Sequence, residues 1–178
     1  MPETPNSGFT LTHQNTKLIA WGADLAAAAE AALTGLLRAA GAPEGVQPGG
    51  KSITIQAKGK EPVQLIDNLI LALAEEFEAG QPLDGSIIMG GVVKSDTGWT
   101  GWATAGIDPD RPSPIQPFEL TKPPVVERKP GRITFKAQVL TWDPKMLAAM
   151  EQLRSIMPAI IHPGGVFGPD PANRDDAD

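Results

Sequence analysis

Leu18-Ile19-Ala20-Trp21-Gly22-Ala23-Asp24-Leu25 joins two different hydrophobic patterns in one short stretch. Leu18 to Trp21 is an apolar, β-suited run that Gly22 stops. Asp24 is placed to cap a helix, and Leu25, Ala28, Ala29, Ala32, Leu33, Leu36 and Leu37 then recur at helical spacing until Gly41 and Pro43. Alanine on the buried side lets a sheet approach the helix axis to about 8 to 10 Å. A strand that feeds a helix in this way opens a mixed fold. Upstream, loose alternation from Phe9 extends the strand over residues 9–21.

Downstream, Ser52 to Ala57 alternates strictly and reads as a half-buried strand. Lys58-Gly59-Lys60 turns the chain, and Pro62 suits the first turn of a second helix whose stripe is Leu65, Ile66, Leu69, Ile70, Leu73 and Phe77. Three strands follow Gly80, over 86–94, 99–105 and 132–140, the first two joined by a turn at Ser95-Asp96-Thr97-Gly98. Proline crowds 108–130, which reads as a surface loop. Asp143-Pro144 opens a third helix with Met146, Leu147, Met150, Leu153 and Met157 facing inward. The order β, α, β, α, β, β, β, α predicts an α+β domain: a largely antiparallel sheet packed by two main helices, plus a C-terminal helix, without internal repeat. The domain is placed at 9–162, between a flexible N-terminus over 1–8 and a disordered acidic tail over 163–178.

Composition narrows the function. The 178 residues hold 41% hydrophobic side chains, 19 glycines and 18 prolines, which suits a folded domain. Fifteen basic against 21 acidic residues leave a net charge of -6, which argues against general nucleic-acid binding. The lack of cysteine removes disulfides, thiolate nucleophiles and zinc–cysteine or iron–sulfur sites. The first residues form no signal peptide and no apolar run reaches the roughly 20 residues of a membrane span, so a cytoplasmic location off the membrane is expected. No catalytic-triad spacing, phosphate-cradling loop or dinucleotide fingerprint is present.

With the run from Leu18 to Leu25 and the alanine-rich helix behind it, four further stretches fall in an order that resembles the archeases. They are Ser52-Ile53-Thr54-Ile55, the helix from Leu65 to Phe77, Ala103-Thr104-Ala105-Gly106 with Asp108-Pro109-Asp110-Arg111, and Gly131-Arg132-Ile133-Thr134-Phe135-Lys136-Ala137. Archeases assist the GTP-dependent RNA ligase of tRNA splicing and RNA repair and bind a divalent metal through acidic residues. The resemblance implies an archease-like fold, an accessory role without a catalytic cycle, and a protein partner, an RNA ligase foremost. It also implies a metal site altered here. The family's second aspartate in Asp-His-Thr-Ala-Asp falls on Asn15, its histidine falls on Thr12 with His13 one place away, and the Thr-Tyr after Lys-Ala is replaced by Gln138-Val139.

Among single residues, Asn15 offers one carbonyl oxygen to a hard cation and none of the charge that dominates its binding. His13 and His162 are the only imidazoles, a weak pair for zinc or nickel. Asp108 and Asp110 flank Pro109 in a turn where both carboxylates can face one cation or serve the turn itself. The cofactor is left open, with a divalent metal as the candidate. Trp99 and Trp102 project from opposite faces of one strand, so one is a candidate partner-binding surface. Two other functions remain: a metal-binding protein or metal-dependent enzyme built on His13, His162 and the Asp108–Asp110 turn, and a self-associating structural protein.

Overall fold

A computed structural model of the chain describes residues 6–47, 50–142 and 144–156. It divides into two compact units, Met1–Thr141 and Trp142–Asp178, the boundary falling inside the 9–162 span placed from the sequence. The first unit runs β1 (Ser7–Thr12), β2 (Lys17–Gly22), α1 (Leu25–Ala39), β3 (Lys51–Gly59), α2 (Pro62–Glu78), β4 (Leu83–Ser95), β5 (Gly98–Ile107), β6 (Phe118–Leu120), β7 (Val125–Lys129) and β8 (Arg132–Thr141). The second contains α3 (Pro144–Ile156). The expected disordered tail and Met157 lie outside the described residues, whereas β1 already begins inside the stretch assigned to a flexible N-terminus.

Local chemistry explains both helix starts. Asp24 accepts a hydrogen bond from the Ala27 N–H at 2.8 Å, which satisfies one orphan donor of the first turn. At α2 the Gln64 side chain reaches back to accept from the Lys60 N–H at 3.0 Å, and Pro62 lacks a donor where none is needed. Each helix follows its strand through a glycine. A Cβ on Gly22 would strike the backbone nitrogen of Ala28, and one on Gly59 that of Leu65. The two strand–helix corners therefore share one device, six residues from glycine to contact, that the differing flanking sequences conceal.

The strands form two antiparallel sheets. The larger has the order β1-β2-β8 with β6 and β7 along the far edge of β8, and the smaller has the order β3-β5-β4. Helix α1 packs on β1, β2 and β8 of the larger sheet and on β4 of the smaller, while α2 lies on β3 and β5. This position explains why α1 is buried around most of its girth, from Ala28 and Ala29 through Ala32, Leu36 and Leu37. One core joins Leu18, Leu33, Leu65, Leu69, Leu83 and Phe135, all at most 1% exposed.

Three expectations are corrected. Residues 9–21 are not one strand but the hairpin β1–β2, broken because His13, Gln14 and Asn15 turn left-handed at φ of 52°, 58° and 64°. The proline-rich 108–130 is not wholly loop: β6 and β7 add an edge to β8 and are interrupted at Pro123-Pro124, where the chain has no N–H to donate. On α3, Met150 and Leu153 do not face inward but are 52% and 55% exposed, as is Ile156 at 75%. The side chains of Met146 and Leu147 are outside the described residues.

Candidate functional site

The end of the first unit where α1 terminates carries two adjoining clefts. The first, about 460 Å³, lies among Pro43, Pro82, Pro112 and Pro114, with Asp84, Asp108, Arg111 and Ser113 supplying the polar groups. The second, about 580 Å³, shares Pro43, Val46 and Gln47 with it and runs past Arg38 and Thr34 to Phe9 on β1 and Ile88 on β4. Proline fixes φ, so these walls are stiff, and a surface that keeps its shape loses little entropy when it binds.

Most ionisable groups at these clefts are engaged within the protein. Asp84 accepts from the Ser86 N–H at 2.8 Å and from the Ser86 hydroxyl at 2.6 Å. The Ser113 hydroxyl donates to the Leu83 carbonyl at 2.6 Å, and Arg38 pairs with Glu44 at 3.4 Å. Asp108 accepts from the Asp110 N–H at 3.1 Å and lies 3.7 Å from Nε of Arg111. Asp108 is thus the opener of an Asx turn with a partly solvated ion pair, an arrangement that shapes the loop. Asp110 is exposed beside it.

His13 and Asn15 occupy the exposed β1–β2 turn, in which the Thr16 N–H and hydroxyl both donate to the His13 carbonyl, at 3.3 and 2.7 Å. Asparagine is one of the few residues at ease in the left-handed region, which accounts for Asn15 as a turn residue. Lys17 pairs with Gln138 on β8, and the Val139 N–H donates to the Thr16 carbonyl at 2.8 Å. The two departures from the archease pattern, at Asn15 and at Gln138-Val139, are therefore neighbours in space. Among the described residues no three His, Asp or Glu side chains converge as a group that could hold a metal, and His162 lies outside the described residues.

Three consecutive left-handed residues are costly, at about 1 to 2 kcal/mol each for a side chain poorly suited to that region. Gln14→Gly is therefore expected to stabilise the protein by about 1 kcal/mol, read as a higher denaturant midpoint at unchanged slope. A lower midpoint would show that the turn is not held left-handed in solution.

The tryptophans do point to opposite faces of β5. Trp99 packs toward the core, with Lys94 Nζ 5.3 Å and Arg128 Cζ 5.9 Å from its ring centroid. Trp102 lies on the outer face across Gly90 and Gly91, where a Cβ on either residue would enter the indole. Both are half-buried, and Ile88 and Val93 beside Trp102 are 50% and 53% exposed. Sequence reasoning passed over Asp84, although Asp84-Gly85-Ser86 carries an Asx signature, and over Glu30, whose carboxylate accepts from the Met89 N–H at 2.9 Å across 59 residues of chain.

No protein-family model and no curated protein matches the chain. Among solved structures it is similar to the solution structure of Methanobacterium thermoautotrophicum protein 1598, with a TM-score of 0.52 and 12% sequence identity over 78% of this chain and 100% of that chain. At that identity the likeness speaks for the fold alone, which is an archease-like α+β fold. Among the described residues no helix is long and apolar enough to cross a membrane.

Proposed function

We propose that this chain is an archease-like accessory protein that binds a protein partner at the proline-walled clefts and has no catalytic cycle of its own. The fold makes an accessory role available. The observation that carries the reading is the state of the ionisable groups there: Ser86 holds one carboxylate oxygen of Asp84 through both its N–H and its hydroxyl, and Asp108 is held by its own turn and Arg111. Stiff walls with internally satisfied polar groups suit docking better than proton transfer. The RNA ligase implied by the resemblance is the first partner to test, with a cytoplasmic setting as the corresponding location. A divalent metal, if used, would be held weakly, since the neutral Asn15 stands at the family's acidic position.

The test is capture of a purified GTP-dependent RNA ligase by the tagged protein, followed by mass measurement of the eluted complex. Arg111→Glu with Pro114→Ala should abolish capture, and Lys51→Gln should not. Capture indifferent to the cleft variants would move the docking site elsewhere. Exposed Ile88 and Val93 beside Trp102 favour a second reading, self-association, which the same mass measurement would register as a dimer.

A further inference from the structure

Two apolar surfaces stand uncovered among the described residues, one on each compact unit. The first is the outer face of the smaller sheet, the side turned away from α1 and α2. Its register sets Ile88 beside Thr104, Gly91 beside Trp102 and Val93 beside Thr100, and directly opposed residues share a face. A shift of register between Met89 and Gly91 keeps Ile88 and Val93 on one side although they are an odd number of positions apart. Met89, Val92 and Ala103 face the core instead. Glycines at 90 and 91 let the Trp102 indole lie across β4, which makes the outer face a shallow platform. The edge of β4 is closed to a further strand at Met89, whose N–H Glu30 already holds at 2.9 Å, so the face and not the edge is what remains to be covered.

The second surface is α3. Residues 148–156 are all exposed, and Met150, Leu153 and Ile156 follow at three-residue steps along one side, with Glu151, Gln152 and Ser155 on the other. A 13-residue helix is marginal in water by itself, so this stripe needs a surface. The chain from Thr141 to Pro144 spans at most about 11 Å. Between β8 and the platform lie α1 and the smaller sheet itself, two layers of roughly 10 Å each. The occupant that fits is therefore the helix of a second copy. We propose that α3 of each copy packs Met150, Leu153 and Ile156 on the Trp102 platform of the other, in a closed pair related by a twofold axis. The contact is then made twice, which doubles the buried apolar area toward the roughly 1,200 to 2,000 Å² of a stable interface. This rests on the self-association reading and supplies its contact, and docking at the clefts is independent of it.

Sedimentation of the full chain over a concentration series tests this, with twice the mass of one chain expected and little change on adding salt, since the contact is apolar. Leu153→Glu and Val93→Lys, both at exposed positions, should each weaken the pair about tenfold or more, with near-UV spectra like the parent's. Mixing the two variants should restore association, because one contact is then intact and the other sets the new carboxylate against the new ammonium. Gln152→Glu, on the polar side of α3, should change nothing. A dimer weakened by only one of the two variants, or not restored on mixing, would keep self-association and overturn this contact. A monomer at every concentration would overturn both.

Discussion

Phe135→Ala is expected to cost about 3 to 5 kcal/mol, the range for deleting a buried phenyl ring. Phe135 is 0% exposed at the middle of β8, opposite Ala20 on β2 and Val126 on β7. The helix packed on this sheet presents alanines at 28, 29 and 32, all 0% exposed. A methyl group has no rotamer to swing into the vacated space, so the hole is poorly refilled and the cost belongs to the upper part of the range. Domains of this size are stable by roughly 5 to 15 kcal/mol, so the loss would be a large share of the total. Urea titration should show a large fall in midpoint with an unchanged slope, while Leu140→Ala on the same strand, 38% exposed, should shift it little. Similar small shifts for both would mean that β8 does not run through the core.

That strand illustrates what local pattern conveys. The strand-like run over 132–140 and the capped, periodic runs from Asp24 and Pro62 carry their signal in adjacent residues, and β8, α1 and α2 appear where the pattern puts them. The hairpin at His13 to Asn15 was hidden because neither glycine nor proline marks it, and left-handed backbone in three successive side-chain-bearing residues is rare. Strands β6 and β7 were hidden for the opposite reason. Proline excludes a central strand, yet both segments find an edge on β8, where only some backbone groups must pair. The division into two sheets has no local signature at all, because it depends on α1 meeting β4 as well as β2.

The candidate site was legible in part. Asp108 was singled out for its Asp-Pro turn, and the turn is what it makes. Asp84 and Arg111 acquire their places only when the chain folds the segment after β5 back onto Pro82, whose carbonyl accepts the Asp108 N–H at 2.9 Å. Trp99 was visible as a large aromatic in a strand, but Arg128 reaches it from β7, a strand that composition had concealed. Long-range pairing of this kind is set by tertiary packing and leaves no periodic trace.

The purified protein is expected not to restore multiple turnover to a GTP-dependent RNA ligase as an archease does, even where it binds that ligase. What the resemblance implies for archeases is help given through a metal held by acidic side chains. A positioned cation contributes several kcal/mol to phosphoryl chemistry, and each 1.36 kcal/mol is a factor of ten in rate. Here the turn beside β8 carries neutral Asn15 where archeases have aspartate, and the strand next to it continues as Gln138-Val139 in place of Thr-Tyr, so exposed Gln138 lies near the turn while Val139, 2% exposed, faces the core. A carbonyl oxygen without charge leaves a hard cation mostly to water. Assisted turnover should therefore fall by roughly a hundredfold or more against a true archease. Ligation measured with and without the protein decides this, and Asn15→Asp in the presence of magnesium should recover part of the missing rate, with the recovery reversed by a chelator. Full rescue by the unaltered chain would mean that another oxygen donor near the turn stands in for the carboxylate of the archeases, and the proposed accessory role would then include the metal chemistry that Asn15 argues against.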